Sequence, residues 1–159
     1  MWTKFQPQFI LKLLSLWPPY LAAGIRIKYV SKDFRTIKVE LKQRPWNTNY
    51  VGSHFGGSLY SMCDPHYMFI LLEHLRPDHI VWDKAASIEF IRPGRGTVSA
   101  TFKIDDIVIQ KIKNGALKNF KIEPTFETLV TDSEGNTVAK VHKTLYVRRK
   151  DAKERFKLD

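Results

Sequence analysis

Between Gly57 and Leu72 the chain reads GSLYSMCDPHYMFILL, and Asp64 is the one side chain there that is certain to carry charge near neutral pH. At helical spacing, Leu59, Tyr60, Met62, Cys63, Tyr67, Met68, Phe69, Ile70, Leu71 and Leu72 cover almost every face. A helix that is apolar all round has to be buried. At ~1.5 Å per residue the run is roughly 24 Å long, and it falls short of the ~20 apolar residues that span a bilayer. Protein must therefore surround it, and the remainder of the chain, which reads mostly as strands, is the natural wrapper.

The flanking segments support that arrangement. Phe5, Phe9, Leu13 and Leu16 recur near helical spacing until Pro18 and Pro19 stop the pattern. Lys12 interrupts this segment and few other cations accompany it, so packing on the domain is favoured over an interfacial anchor. Residues 25 to 30 and 34 to 42 alternate with period two around Ser31-Lys32-Asp33, a hairpin that points Ile25, Ile27 and Tyr29, then Ile37, Val39 and Leu41, inward. Residues 80 to 92 and 97 to 104 read as a second hairpin around Pro93-Gly94-Arg95-Gly96. Asp105 begins a short helix with Gly115 as its stop, and residues 123 to 132 and 137 to 149 close the chain as a third hairpin. The fold class is α+β, an antiparallel sheet wrapped around one long buried helix with an extra N-terminal helix. The chain divides into an N-terminal segment at 1–24, a domain at 25–149 and a basic tail at 150–159.

Composition excludes some chemistry. A single cysteine, Cys63, rules out an internal disulfide and any multi-cysteine zinc site. His54, His66, His74, His79 and His142 share no ligand spacing, so no metal is expected. The Gly-x-Ser-x-Gly elbow of serine hydrolases is absent. A net charge of +10 favours anionic partners, although much of the excess lies in the C-terminal run from Arg148 to Lys157.

An ionised carboxylate inside an apolar helix must be paired, protonated or facing a cavity. Asp64 is thus a functional candidate, or else an acid that bonds nearby backbone donors beside the Pro65 break. Gly52, Gly56 and Gly57 permit close approach to the helix entry, where N–H groups and the helix dipole would favour a developing oxyanion. Asn49-x-x-Gly52-x-x-Phe55-Gly56-Gly57 with Asp64 seven residues on resembles the Asn-x-x-Gly-x-x-His-Gly-Gly motif and following Asp of hotdog-fold acyl-CoA thioesterases of the phenylacetate type. SIEFIRPGRGTVSA resembles their strand–Pro–Gly–strand segment, and FGGSLYSMCDP is similar to phrases of an uncharacterised hotdog branch.

That resemblance implies specific roles. Asn49 orients the motif loop, the Gly57 N–H polarises the thioester carbonyl, Gly56 allows approach, and Asp64 is general base or nucleophile. In the family the carboxylate comes from the dimer mate, which implies a homodimer or a dimer of dimers. Phe55 replaces the family His, with His54 beside it, and Asp83 takes the position where some relatives hold the attacking water with Ser or Thr. Lys84, Arg92 and Arg95 would meet the phosphates of coenzyme A, or are ordinary solvated charges. The expected partner is a small-molecule acyl thioester, with coenzyme A entering only as part of the substrate and no separate cofactor. The alternative is a non-catalytic hotdog module that binds an acyl chain or acyl-CoA. A nucleic-acid partner is not expected, because Phe90, Phe102 and Phe126 fall in the inward register. No integral membrane segment is foreseen, and a cytoplasmic location is expected.

Overall fold

The computed structural model describes residues 7–152; Phe5 and the tail beyond 152 lie outside them. Helix α1 (Pro7–Leu13) runs into a 3-10 turn at Leu14–Leu16, and α2 (Pro18–Ala23) follows. The paired prolines thus end one helix and open the next, where a missing N–H costs nothing. Gly24 ends α2 at φ 82°, and a Cβ there would lie 2.6 Å from both Asn47 Nδ2 and Lys42 O. Asn47 uses the space, donating to Ala23 O at 2.7 Å and Lys42 O at 3.0 Å.

Strands β1 (Ile25–Val30), β2 (Thr36–Lys42), β3 (His79–Phe90), β4 (Thr97–Lys103), β5 (Thr125–Thr131) and β6 (Thr137–Arg149) form one sheet. Its order is β1-β2-β4-β5-β6-β3, and the pairing is antiparallel throughout. The first and third expected hairpins are present. The second is not, since β3 pairs with β6 at the far edge while β4 sits between β2 and β5. Three strand spacings of ~4.8 Å separate them, which the segment 91–96 can bridge at up to ~3.3 Å per residue. Its Ile91 and Arg92 N–H groups both reach Val138 O.

Between these strands lies the central helical segment, α3 (Gly56–Ser61) and α4 (His66–Leu75), broken at Met62–Pro65. Pro65 cannot donate a backbone hydrogen bond, and the Cys63 N–H turns instead to Tyr60 O at 2.8 Å. Leu59, Met62, Cys63, Tyr67, Ile70 and Leu71 are buried against Ile37, Val39, Leu41, Phe102 and Leu145. Tyr67 stacks on Phe126 at 4.7 Å and donates to Glu127 O at 2.7 Å.

Three further expectations are corrected. A register shift in β1 between Ile27 and Tyr29 turns Tyr29 outward and buries Val30 in its stead. Helix α5 (Asp106–Lys118) passes through Gly115, whose bare Cα packs on Ile122, and stops only at Asn119. Phe90, read as inward, is 57% exposed at the end of β3, where its ring rests on Gly56.

The two sheet edges differ. Along β1 the N-terminal segment lies close, with the Ile27 N–H bonding Ser15 Oγ at 2.9 Å and Gln8 reaching Lys32 O. Leu11 and Tyr20 are buried there, while Leu13, Leu16, Trp17 and Leu21 stay exposed. Strand β3 is the opposite edge, and among the described residues no backbone group outside β6 bonds to it. Among the described residues no helix is long and apolar enough to cross a membrane.

His66 opens α4 fully buried against the Phe102 ring at 4.7 Å, and among the described residues neither ring nitrogen makes a well-formed hydrogen bond. Burial, opposed in part by the Met62 carbonyl, pushes its pKa down to about 3. Its folded value lies below the unfolded one, so the unfolded chain binds the extra proton and stability falls as pH drops below 6.5. Urea denaturation between pH 6.5 and 5 should show a loss of ~2 kcal/mol from this group, and His66→Phe should flatten that slope.

Candidate functional site

The loop entering α3 is built around one side chain. Asn49 Oδ1 accepts from the N–H groups of Ser53 and Val51 at 2.9 and 3.1 Å, and its Nδ2 donates to Ser53 Oγ and His54 O at 2.9 and 3.1 Å. An amide is suited to this because it offers two donors and an acceptor at once. The loop so folded delivers Gly56 and Gly57 to the helix start between two aromatic rings. A Cβ at Gly56 would lie 2.9 Å from Phe90 Cζ, and one at Gly57 would lie 2.4 Å from Phe55 Cε1. Only glycine lets both rings come this close.

A cleft opens on each side of that helix start. One, of about 380 Å³, brings Asn49, His54, Gly56, Phe90 and Arg92 together. The other, also of about 380 Å³, lies between Phe55, Trp46, Asn49 and Ser58. Each is within the range of small-molecule sites. Phe55, which the motif resemblance sets where the phenylacetate-type thioesterases carry a histidine, is 59% exposed and has no donor to offer. His54 does not compensate: it is buried, its Nε2 lies 3.1 Å from Gly96 O, and among the described residues its Nδ1 has no partner. Burial lowers its pKa, so it is a neutral imidazole donating Nε2–H to that carbonyl.

The three basic candidates separate. Arg92 lines the cleft beside Gly56, and Arg95 Nε donates to Gly52 O at 3.3 Å, next to the same loop. Lys84 lies elsewhere, sharing Glu123 with Lys121, each pair at 2.5 Å.

Asp64 sits in the break between α3 and α4, with its side chain 45% exposed. Its Oδ1 accepts from Lys143 Nζ at 2.6 Å and from the Tyr60 hydroxyl at 3.0 Å. Lys143, only 1% exposed, also lies 3.2 Å from Asp83 Oδ1. That second contact is an ion pair too poorly aligned to count as a hydrogen bond, since Asp83 Oδ1 is buried without one. Burial draws the Lys143 pKa down, but the hydrogen bond to Asp64 and the charge of both carboxylates outweigh it and hold the pKa above the ordinary lysine value. Asp83 is displaced the other way: burial raises its carboxyl pKa, and Lys143 opposes the rise.

Lys143 was missed in the sequence. The signal was its parity, since Val141, Lys143, Leu145 and Val147 share the inward face of β6 and all are buried. A lysine on that face needs a carboxylate, and the two carboxylates of the neighbouring elements supply it.

Comparison with known proteins accords with this architecture. The family described as a domain of unknown function, DUF4442, matches residues 7–147. A Pseudomonas aeruginosa protein described as a probable thioesterase superposes with a TM-score of 0.78 at 18% identity, over 89% of this chain and 95% of its own. A Haemophilus influenzae thioesterase does so with a TM-score of 0.66 at 14% identity, over 93% and 94%. An alanine mutant of a hypothetical thioesterase from Streptococcus pneumoniae gives 0.55 at 17%, over 79% and 92%. At these identities the likeness shows the fold, and that fold is the hotdog. Among curated proteins none matches the sequence.

Proposed function

The chain belongs to the DUF4442 family, and within its thioesterase-like hotdog fold we propose that it hydrolyses an acyl thioester at a site shared between two copies. The observation that carries this reading is Asp64, a half-exposed carboxylate held at the break of an otherwise apolar helix. Asp64 stands seven residues beyond Gly57, past the break that ends α3. In the phenylacetate-type thioesterases that the motif resembles, the carboxylate comes from the dimer mate of the chain that gives the oxyanion donor. The uncovered edge of β3 supports a partner, because a long unpaired strand is a template for pairing. Two β3 strands side by side would continue the sheet and bring the Asp64 of one copy toward the Gly57 of the other.

In the proposed reaction the thioester carbonyl oxygen accepts from the Gly57 N–H, and Asp64 takes a proton from water as that water attacks the carbonyl carbon. The carbon–sulfur bond then breaks, coenzyme A leaves as its thiolate and takes up the proton held by Asp64, and the acyl group is released as the acid. A helix as short as α3 adds little dipole, so the N–H itself provides most of the polarisation.

Subunit mixing tests the shared site. Asp64→Asn and Gly57→Val variants should each be nearly inactive alone. Mixed, they should recover roughly a quarter of the wild-type rate, since half the dimers are hybrid and each hybrid has one intact site of two. No recovery after confirmed exchange, or a monomer at micromolar concentration, would remove the shared site.

Coenzyme A recognition yields a second expectation. Arg92→Glu should weaken coenzyme A binding, with a salt dependence set by a Debye length of ~8 Å, whereas Lys84→Glu should not, because Glu123 already engages Lys84. Isothermal titration at low and physiological salt distinguishes the two. One observation favours the alternative of a binding module without turnover: Phe55 lays an inert ring on Gly57 where the phenylacetate-type thioesterases that the motif resembles carry a histidine.

A further inference from the structure

We propose that Lys143 is a positioning residue that pins the Asp64 carboxylate by one oxygen and leaves the other free to act, an inference that rests on the hydrolase reading above. Both contacts to Asp64 converge on Oδ1, from Lys143 Nζ at 2.6 Å and the Tyr60 hydroxyl at 3.0 Å. Among the described residues no hydrogen bond or ion pair reaches Oδ2. Because Lys143 is 1% exposed and Asp64 45%, the pinned oxygen is the inner one and Oδ2 is left for solvent and substrate. The two contacts fix the carboxylate's rotation as well as its place, since a second donor on the same oxygen removes the freedom to swing about the first.

Among the described residues, the groups facing the Lys143 ammonium fit this role. Tyr60 approaches from α3, Cys63 and Asp64 from the turn, His66 from α4 and Asp83 from β3; its partner in register on β5 is the uncharged Phe126. Burial lifts the Cys63 thiol to about 12 and drops His66 to about 3, so both are neutral near pH 7. One ammonium between two carboxylates therefore sets the local charge. Asp83 anchors the ammonium from behind, while Asp64 meets it from the solvent side. Lys143 cannot itself serve as base or nucleophile, because its pKa is raised and it stays protonated. Its contribution is to hold the Asp64 carboxylate in place and to aim it.

Removing the ammonium leaves Asp64 and Asp83 facing one another with no cation between them, and like charges at short range favour protonation. In Lys143→Met the acid limb of the kcat/KM profile for acyl-CoA hydrolysis should move to higher pH by ~1 unit or more. Lys143→Arg, which keeps the charge, should return it toward the wild-type position. Carboxyl-carbon NMR of Asp64 reads the same shift without substrate, and Lys143→Gln replaces the methionine variant if that fails to fold. An unmoved Asp64 midpoint in the folded neutral variant would overturn the inference even if hydrolysis falls, since lost packing alone lowers a rate without shifting a titration. A wild type that turns over no thioester would instead sink the hydrolase reading, and the NMR midpoint would then decide the role of Lys143 alone.

Discussion

Replacing Asp64 with asparagine is expected to lower acyl-thioester hydrolysis by ~10²-fold or more while acyl-CoA binding persists. Asparagine keeps the shape of the side chain, and its carbonyl oxygen can still accept from Lys143 and Tyr60, but it cannot take a proton from water. The fold should survive because Asp83 remains within 3.2 Å of the buried ammonium as a counterion. Steady-state kinetics beside a binding isotherm separate the outcomes. Equal loss of turnover and binding would mean that Asp64 shapes the site and performs no chemistry. Unchanged turnover would return Asp64 to a structural acid.

The larger effect on stability should come from removing both carboxylates. In the Asp64→Asn, Asp83→Asn double variant the ammonium of Lys143, 1% exposed, has no anion left. Breaking a buried pair so that one charge stands alone costs ~3–5 kcal/mol. The sign of the pH dependence also reverses. In the wild type the folded pKa of Lys143 is raised, so its contribution is fully present below 10.5 and is lost as pH rises through the folded value. In the double variant no carboxylate charge opposes burial and the folded pKa falls below the unfolded one. The unfolded chain then holds the extra proton, and stability climbs with pH toward the unfolded lysine value. Urea denaturation at pH 7 and pH 9 measures both effects, and a double variant as stable as wild type at pH 7 would show that solvent reaches the ammonium.

Much of the fold is legible because burial repeats along the chain. The apolar surround of residues 57 to 72 marks the central segment, and period two marks the strands that wrap it. What local pattern cannot carry is pairing. β3 and β4 look like a hairpin because a Pro-Gly turn divides them, yet the sheet order that separates them is decided by β6, far along the sequence. The Tyr29 reversal has a related cause: one irregular residue in β1 changes which parity faces inward.

The candidate site divides in the same way. Asn49, Gly56 and Gly57 form one compact loop, and their spacing holds because a local hydrogen-bond network sets it. Asp64 stands out as a charge in an apolar run. Its partner Lys143 is distant in sequence, and only the parity of β6 places that lysine on the inner face. Lys84 and Arg92 look alike as cations near one strand, but they part once strand position puts Lys84 on Glu123 and Arg92 beside Gly56.

Free-thiol release from a panel of short, aryl and long-chain acyl-CoAs, measured for the wild type and for Phe55→His alongside binding of the same ligands, decides between a hydrolase and a binding module. Turnover of at least one acyl class by the wild type, raised by Phe55→His if Gly57 is already well placed, is the result predicted. Acyl-CoA binding with no thiol released by either protein would contradict it and identify the chain as a binding module.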